Sequence, residues 1–138
     1  MAEDEEDLGA LFARVTRRLI DAERPLLAEL GLSMWGYIAL SRLAHAPAET
    51  QLALAQAIGY DKTRLIGLLD ELEADGLITR TPDPTDRRAR IISLTDAGTK
   101  RHAAARRAIG KMEDDVLTGV SATERTRLRR TLARLADG

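Results

Sequence analysis

Hydrophobic residues recur at intervals of three and four near the start of the chain, which is the period of an amphipathic helix. The pattern predicts a helix over residues 8–30. Its apolar stripe is Leu8, Leu11, Phe12, Val15, Leu19, Leu26, Leu27 and Leu30. Acidic residues precede this helix, where the positive end of the helix dipole favours negative charge. Pro25 is expected to kink or split the helix because proline has no N–H to donate, and Gly31 is expected to end it.

Three further helices follow, each predicted from an apolar stripe and from residue types that cap helices. They span about 34–44 with Ser33 as N-cap and Pro47 closing the segment, 51–58 with Thr50 as N-cap, and 62–74 with Gly76 at the end. The tight connection Gly59-Tyr60-Asp61 joins the last two helices. The chain therefore contains a helix, a turn and a second helix between residues 51 and 74.

From Leu77 the hydrophobic period changes to that of strands. Residues 77–80 and 90–94 predict two short strands. The segment 81–89 between them is polar and turn-rich, so it predicts a hairpin with a long tip. Thr95 is then expected to cap a long helix to about Leu117. The run Ser121-Ala122-Thr123-Glu124 has the pattern of a capping box that begins a last helix.

A helix-turn-helix followed directly by a β-hairpin is the order of elements in a winged helix. The predicted fold class is mainly α with a small β-hairpin wing, flanked by long N- and C-terminal helices. Those flanking helices carry apolar stripes that a winged helix does not need for its own core. Because such stripes need a partner surface, and a two-fold interface between identical chains is the commonest solution, the sequence predicts a homodimer.

The second helix of a helix-turn-helix presents its N-terminal residues to base edges in the major groove. Arg64 can pair bidentately with guanine, Thr63 can bond to more than one base, and Lys62 suits phosphate. Ile66 can touch a thymine methyl, and Gly67 lets the backbone approach closely. The alternative interpretation of these residues is an ordinary solvated first turn.

Arginines are concentrated in the predicted wing. Arg87, Arg88 and Arg90 lie beside its tip, and Arg80 lies on the partner strand. Arginine on a projecting hairpin suits a narrow minor groove, whose negative potential attracts it. Asp86 precedes Arg88 by two residues, so its carboxylate can reach and orient that guanidinium. Surface charge on a loop is the alternative, but it is less favoured directly after a helix-turn-helix.

Net charge changes this interpretation less than it first suggests. The 138 residues include 21 Lys and Arg against 22 Asp and Glu, a formal charge of −1. Five acidic residues and no basic one fall within residues 1–10, so the other 128 residues carry +4. Residues 1–7 are therefore treated as an acidic leader. The neutral total is an average over separate acidic and basic segments, and it does not exclude nucleic acid.

Composition excludes several function classes. The chain has no cysteine, which excludes disulfides, thiolate nucleophiles and cysteine-bound zinc. It contains neither a Gly-rich phosphate loop nor the Gly-x-Ser-x-Gly pattern of a serine hydrolase. No enzyme activity, cofactor or metal site is therefore predicted. The acidic start MAEDEED is unlike a signal peptide and no apolar stretch is long enough for a membrane span, so a cytoplasmic protein is expected.

Three stretches carry a family resemblance. They are Thr50-Gln51-Leu52-Ala53-Leu54-Ala55-Gln56-Ala57-Ile58-Gly59, Leu68-Leu69-Asp70-Glu71-Leu72-Glu73-Ala74-Asp75-Gly76-Leu77-Ile78, and Asp86-Arg87-Arg88 with Ile92-Ser93-Leu94-Thr95-Asp96-Ala97-Gly98. Together they resemble the MarR family of bacterial transcription regulators. The most specific element is the wing signature, Asp-x-Arg followed by an apolar residue, any residue, Leu and Thr. The order of helices extends the resemblance over essentially the whole chain.

The resemblance implies a homodimer whose terminal helices intertwine while two winged helices read a pseudo-palindromic operator in double-stranded DNA. It assigns Arg88 to the minor groove, with Asp86 as its orienting partner. It assigns the major groove to Thr63, Arg64, Ile66 and Gly67. Family members often carry a hydroxyl residue and an arginine at the last two positions, where this chain has Ile66 and Gly67. The domain organisation expected is a dimerisation region of residues 8–46 and 96–138 around a DNA-binding region of residues 47–95.

Many members of that family release DNA when a small lipophilic or aromatic ligand enters a cleft beside the first, second and fifth helices. The candidate residues here are Phe12, Trp35 and Tyr37, with His45 or His102 as polar groups. Ordinary core packing is the stronger alternative for these aromatic side chains. The function predicted is a DNA-binding transcription regulator, a repressor that responds to a ligand. A winged helix that binds protein instead of DNA is the alternative, and it would not need three neighbouring arginines.

Overall fold

The computed structural model describes residues 5–45 and 49–138, with only the backbone of Glu49. Pro47, predicted to close the second helical segment, lies outside the described residues. The elements are α1 (Leu8–Glu29), α2 (Met34–His45), β1 (Glu49–Thr50), α3 (Gln51–Ile58), α4 (Lys62–Ala74), β2 (Ile78–Asp83), β3 (Asp86–Leu94), α5 (Asp96–Val116) and α6 (Ala122–Asp137). The predicted class, a mainly α winged helix, is confirmed.

Side-chain caps begin the helices as the sequence predicts. The Oγ of Ser33 accepts from the N–H of Gly36 at 3.0 Å, and Ser121 accepts from Glu124 at 3.2 Å. The hydroxyls of Thr50 and Thr95 cap α3 and α5 in the same way. Such a bond satisfies one of the N–H groups that the first helical turn leaves unpaired. These local bonds place the helix boundaries within about a residue of their predicted positions.

Of the two outcomes expected at Pro25, a kink or a split, the split does not occur, since α1 runs without interruption from Leu8 to Glu29. Proline removes one intrahelical donor, which would have paired with the carbonyl of Asp21. Asp21 and Pro25 both lie on the exposed side of the helix, where water can bond to that carbonyl. Two residues later, Leu27 is buried in the core, and its packing favours continuing the helix.

The hairpin differs from its prediction in length. Strands β2 and β3 extend to Asp83 and from Asp86, so the long tip expected over residues 81–89 shrinks to a two-residue connection. The carboxylate of Asp83 explains the tight turn, because it accepts from both the N–H and the hydroxyl of Thr85 at 2.8 Å. These two hydrogen bonds also lower the pKa of Asp83, and the bond from the backbone N–H of Thr85 has the larger effect.

A third strand was not predicted. Residues Glu49 and Thr50 pair antiparallel with Ile92 and Ile91, which makes a sheet in the order β1-β3-β2. Two residues are too few to show the alternation that identifies strands. The pairing joins the start of α3 directly to the wing.

The core is mostly leucine and lies between α2, α3, α4 and the base of the hairpin. Its fully buried members include Leu40, Leu43, Leu54, Leu65, Leu69, Leu77, Ile78 and Ile92. Helix α5 packs closely here, since a Cβ added to Gly98 would lie 2.0 Å from the carbonyl oxygen of Leu77. No helix in the described part of the chain is long and apolar enough to cross a membrane.

Replacing Gly98 by alanine is expected to destabilise the protein strongly, because the added methyl meets main-chain atoms that cannot move aside. The free energy of unfolding is expected to fall by at least about 1–3 kcal/mol, the range for overpacked cores. Chemical denaturation measures it. The matched control is Gly110→Ala in the same helix, where a Cβ meets nothing within 4 Å. That change should be neutral or stabilising. Equal stability of the two variants would contradict the close approach.

Helices α2 and α5 meet around His102, which is only 8% exposed. Its Nε2 lies 3.0 Å from the Oγ of Ser41, and its ring stacks on Tyr37 with centroids 5.5 Å apart. Burial lowers the pKa of His102, and the charges of Arg106 and His45 lower it further. The native fold therefore favours the neutral imidazole.

This pKa shift predicts a loss of stability in mild acid. As pH falls below about 6.5, the ordinary histidine pKa, the unfolded chain takes up a proton that the native His102 resists. The free energy of unfolding should then fall by less than about 1.4 kcal/mol per pH unit, the limit for one proton. Denaturation at pH 7 and 5.5 measures this loss in the wild type and in His102→Gln. The variant should lose less, and equal losses would contradict the assignment.

Candidate nucleic-acid interface

Helix α4 is held by one apolar face and by a side-chain cap. Leu65, Leu68, Leu69 and Leu72 are buried, and they lie on the same face of the helix. The carboxylate of Asp61 caps its start by accepting from the N–H of Arg64 at 2.9 Å. Because the leucines face inward, Lys62, Thr63 and Ile66 are left exposed.

A groove of about 580 Å³ lies between the start of α4, the start of α3 and the wing. The structure brings together six of the residues predicted to bind DNA along this groove, namely Lys62, Thr63, Ile66, Asp86, Arg88 and Arg90. They come from two elements, the first half of α4 and the start of β3, and the two groups lie at least 20 positions apart in sequence. The groove therefore places the start of α4 and the wing on one surface.

Other residues of the groove were missed by the sequence reasoning. They are Thr50, Gln51, Leu52, Asp83 and Ala89. Thr50 was recognised only as a helix cap. Its pairing with Ile91 of β3, which places the start of α3 beside the wing, had no signal in the sequence. Leu52 is 55% exposed, and an exposed leucine on the first helix of a helix-turn-helix was a signal.

Three cations and two carboxylates line the groove. Lys62, Arg88 and Arg90 supply the positive charge. The carboxylates are engaged within the wing: Asp83 holds the turn, and Asp86 accepts from the backbone N–H of Arg88 at 3.0 Å. The sequence reasoning expected Asp86 to meet the guanidinium of Arg88. The contact is with the main chain, so in this structure Asp86 orders the backbone that carries the arginine.

Three of the predicted residues lie outside the lining of this groove. Arg87 is exposed on the wing, and Gly67 lies on the outer face of α4 with open space where a Cβ would be. Arg64 follows Lys62 by two residues, which places it about 200° further around the helix. Its guanidinium carbon lies 5.2 Å from the centre of the Tyr60 ring.

Arg80, which the sequence places on the partner strand of the wing, does not line the groove. Its guanidinium bonds to Asp70 at 2.6 Å and to Glu73 at 2.9 Å, and its side chain is only 18% exposed. Its backbone N–H also donates to Glu73 at 3.2 Å. Hydrogen bonding from Arg80 lowers the pKa of Glu73. The residue therefore joins the base of the wing to the second half of α4.

The three aromatic candidates for a ligand pocket have separate surroundings. Phe12 is 44% exposed on α1. Trp35 stacks on Tyr60 with ring centroids 4.5 Å apart, whereas Tyr37 stacks on His102. A small cavity of about 140 Å³ lies instead between α1, α5 and α6. Its apolar lining is Val15, Leu19, Val116, Leu117, Leu128 and Leu132.

Comparison with known proteins agrees with this arrangement. Residues 30–89 match the model of the MarR family. A MarR-family transcriptional regulator from Rhodococcus sp. RHA1 is 29% identical, with a TM-score of 0.84 and 96% of each chain covered. The transcriptional repressor CouR, bound to a 23-mer DNA duplex, is also 29% identical, with a TM-score of 0.85 and coverage of 94% of this chain and 92% of that one.

The fold alone is shared with apo wild-type MarR from E. coli, which is 22% identical. Its TM-score is 0.84, and 96% of this chain and 98% of that chain are covered. The family match spans the helix-turn-helix and most of the wing, while the structural matches extend over both sets of flanking helices. The chain has the winged-helix fold of MarR-family transcription regulators, and residues 30–89 match the model of that family.

Proposed function

We propose that the protein is not an enzyme but a sequence-specific repressor, which binds a pseudo-palindromic operator as a homodimer. The observation that carries the proposal is the groove in which Lys62 and Thr63 of α4 face Arg88 and Arg90 of the wing. Cations on both sides suit a sugar-phosphate backbone that runs between them. CouR, with the same fold, is a repressor solved on DNA.

In this proposal α4 enters the major groove and the wing follows the adjacent minor groove. Thr63 and Arg64 contact base edges, Ile66 offers an apolar contact to a thymine methyl, and Gly67 allows close approach. Lys62 contacts phosphate. Arg88 enters the minor groove, with Arg87 and Arg90 available to the flanking phosphates. Asp86 directs Arg88 by holding its backbone N–H.

Dimerisation is inferred from the apolar side chains that α1 and α6 leave uncovered. Leu8, Leu11, Phe12 and Val15 are between 43% and 70% exposed, and Leu128, Leu132 and Leu135 are between 38% and 62% exposed. Helix α6 buries none of its residues. A second copy of the chain would cover both stripes, and we therefore propose a dimerisation region of residues 8–46 and 96–138 around a DNA-binding region of residues 47–95.

Regulation by a small aromatic or lipophilic ligand is the last part of the proposal. Tyr37 of α2 stacks on His102 of α5, and these two helices pack against both α1 and β3. A ligand that contacts Phe12, Trp35 or Tyr37 would act by changing the spacing of the two winged helices. The emission of the single tryptophan, Trp35, is the natural readout for titration with aromatic acids.

Removing Arg88 tests the assignment to DNA. Arg88→Ala should weaken binding to the DNA upstream of the protein's own gene by on the order of tenfold to a hundredfold, because a dimer loses two contacts. A gel-shift titration measures the change. Arg107→Ala removes an equal charge from an exposed position on α5, outside the groove, and should bind as the wild type does. Unchanged binding by Arg88→Ala would sink the wing assignment, and a wild type that binds no DNA would favour a protein-binding module.

Removing an apolar side chain from α6 tests the dimer. Leu132→Glu places a charge in the inferred interface, so the mass by sedimentation should fall from that of a dimer to that of the 15.1 kDa protomer. Leu52→Gln is the matched control, because Leu52 is comparably exposed but lies in the groove. It should remain dimeric. A wild type that sediments as a monomer would refute the dimer.

A further inference from the structure

Both the backbone N–H and the guanidinium of Arg64 make contacts, unlike those of a free surface arginine. Its backbone N–H donates to Asp61, which caps α4. Its guanidinium carbon lies 5.2 Å from the centre of the Tyr60 ring, within the range of a cation–π contact. Among the contacts of the described residues, the one that the Arg64 guanidinium makes is with the Tyr60 ring, which therefore sets the direction of the side chain.

Tyr60 is itself held in place. It lies in the turn between α3 and α4, directly after Gly59, whose φ of 67° is in the left-handed region that favours glycine. The N–H of Tyr60 donates to the carbonyl of Ala55 at 3.0 Å. The ring of Trp35, which α2 contributes, stacks on the Tyr60 ring with an angle of 27° between the planes. Both rings pack against the hydrophobic core.

These contacts form a chain from the core to the surface, through Trp35, Tyr60 and Arg64. A long arginine side chain loses much rotamer freedom when it binds, and that loss reduces affinity. A side chain already held against a rigid ring has lost part of that freedom before binding. Arg64 also lies on the flank of α4 away from Lys62, so this support is separate from the wing.

We propose that Tyr60 is a specificity-determining positioning residue, which orients Arg64 for base readout while Trp35 backs its ring. The inference rests on the proposed DNA-binding function and deepens it. It assigns base discrimination on one flank of α4 to a residue that lies outside that helix. The phenol oxygen has no part in this role, since the ring face is what the guanidinium contacts.

The experiment measures the affinity of four proteins for the operator and for a panel of operators with single base-pair changes. The proteins are the wild type, Tyr60→Leu, Tyr60→Phe and Arg64→Met. Tyr60→Leu should weaken operator binding about fivefold to 30-fold, because two arginine side chains per dimer then lose their rotamer freedom only on binding. It should also reduce discrimination at the same base pairs as Arg64→Met does. Tyr60→Phe should behave as the wild type.

Two further measurements separate positioning from a general structural role. The double variant Tyr60→Leu with Arg64→Met should bind no more weakly than Arg64→Met alone, since the ring acts only through the arginine. The salt dependence of Tyr60→Leu should equal that of the wild type, because no phosphate contact is lost. Tyr60→Met removes the ring in a second way should the leucine variant not fold.

The inference is overturned if Tyr60→Leu keeps wild-type discrimination, if its losses are uniform over the panel, or if they add to those of Arg64→Met. An Arg64→Met variant that discriminates like the wild type overturns it as well, because there would then be no readout to position. These outcomes are distinct from failure of the proposed function. That failure would appear as a wild type that binds no DNA, or as full binding by Arg88→Ala.

Discussion

The burial of the leucine face of α4 is the constraint on which the candidate interface depends. Leu65 and Leu69 are at most 1% exposed, so the helix cannot rotate about its axis without opening the core. Since side chains follow each other at about 100° around a helix, burial of this face decides the direction of every other residue. Thr63 and Ile66 are thereby turned outward, and Arg64 is turned toward Tyr60. The chemistry of the surface thus follows from the packing beneath it.

A second constraint fixes the wing relative to that helix. Arg80 at the base of β2 binds Asp70 and Glu73 on the second half of α4, and β1 pairs the entry of α3 with β3. An exposed ion pair alone adds little stability. Here one guanidinium, only 18% exposed, meets two carboxylates and joins elements that both line the groove. The helix and the wing are therefore suited to meet DNA as one preformed surface.

What could be predicted from the sequence was local. Helix boundaries depend on caps such as Thr50 and Ser121, whose hydrogen bonds reach only three residues along the chain. What was missed depended on contacts distant in sequence or on the details of a turn. The strand at Glu49 exists only because β3 lies beside it, and the pairing of Arg80 depends on where the hairpin folds back. The site followed the same rule, since the residue types were visible while the stacking of Arg64 on Tyr60 was not.

For the DNA-binding role proposed above, the net charge of −1 fits a surface that binds by orientation more than by attraction. Several of the acids are engaged near the interface: Asp61 caps the recognition helix, Asp83 closes the hairpin turn, and Asp86 holds the backbone of Arg88. Each reduces the local positive charge and so weakens the sequence-independent attraction to phosphate. Each also restricts the backbone that presents a cation. Lower non-specific affinity combined with oriented contacts raises the ratio of specific to non-specific binding, and that ratio decides whether a regulator finds its operator in a genome.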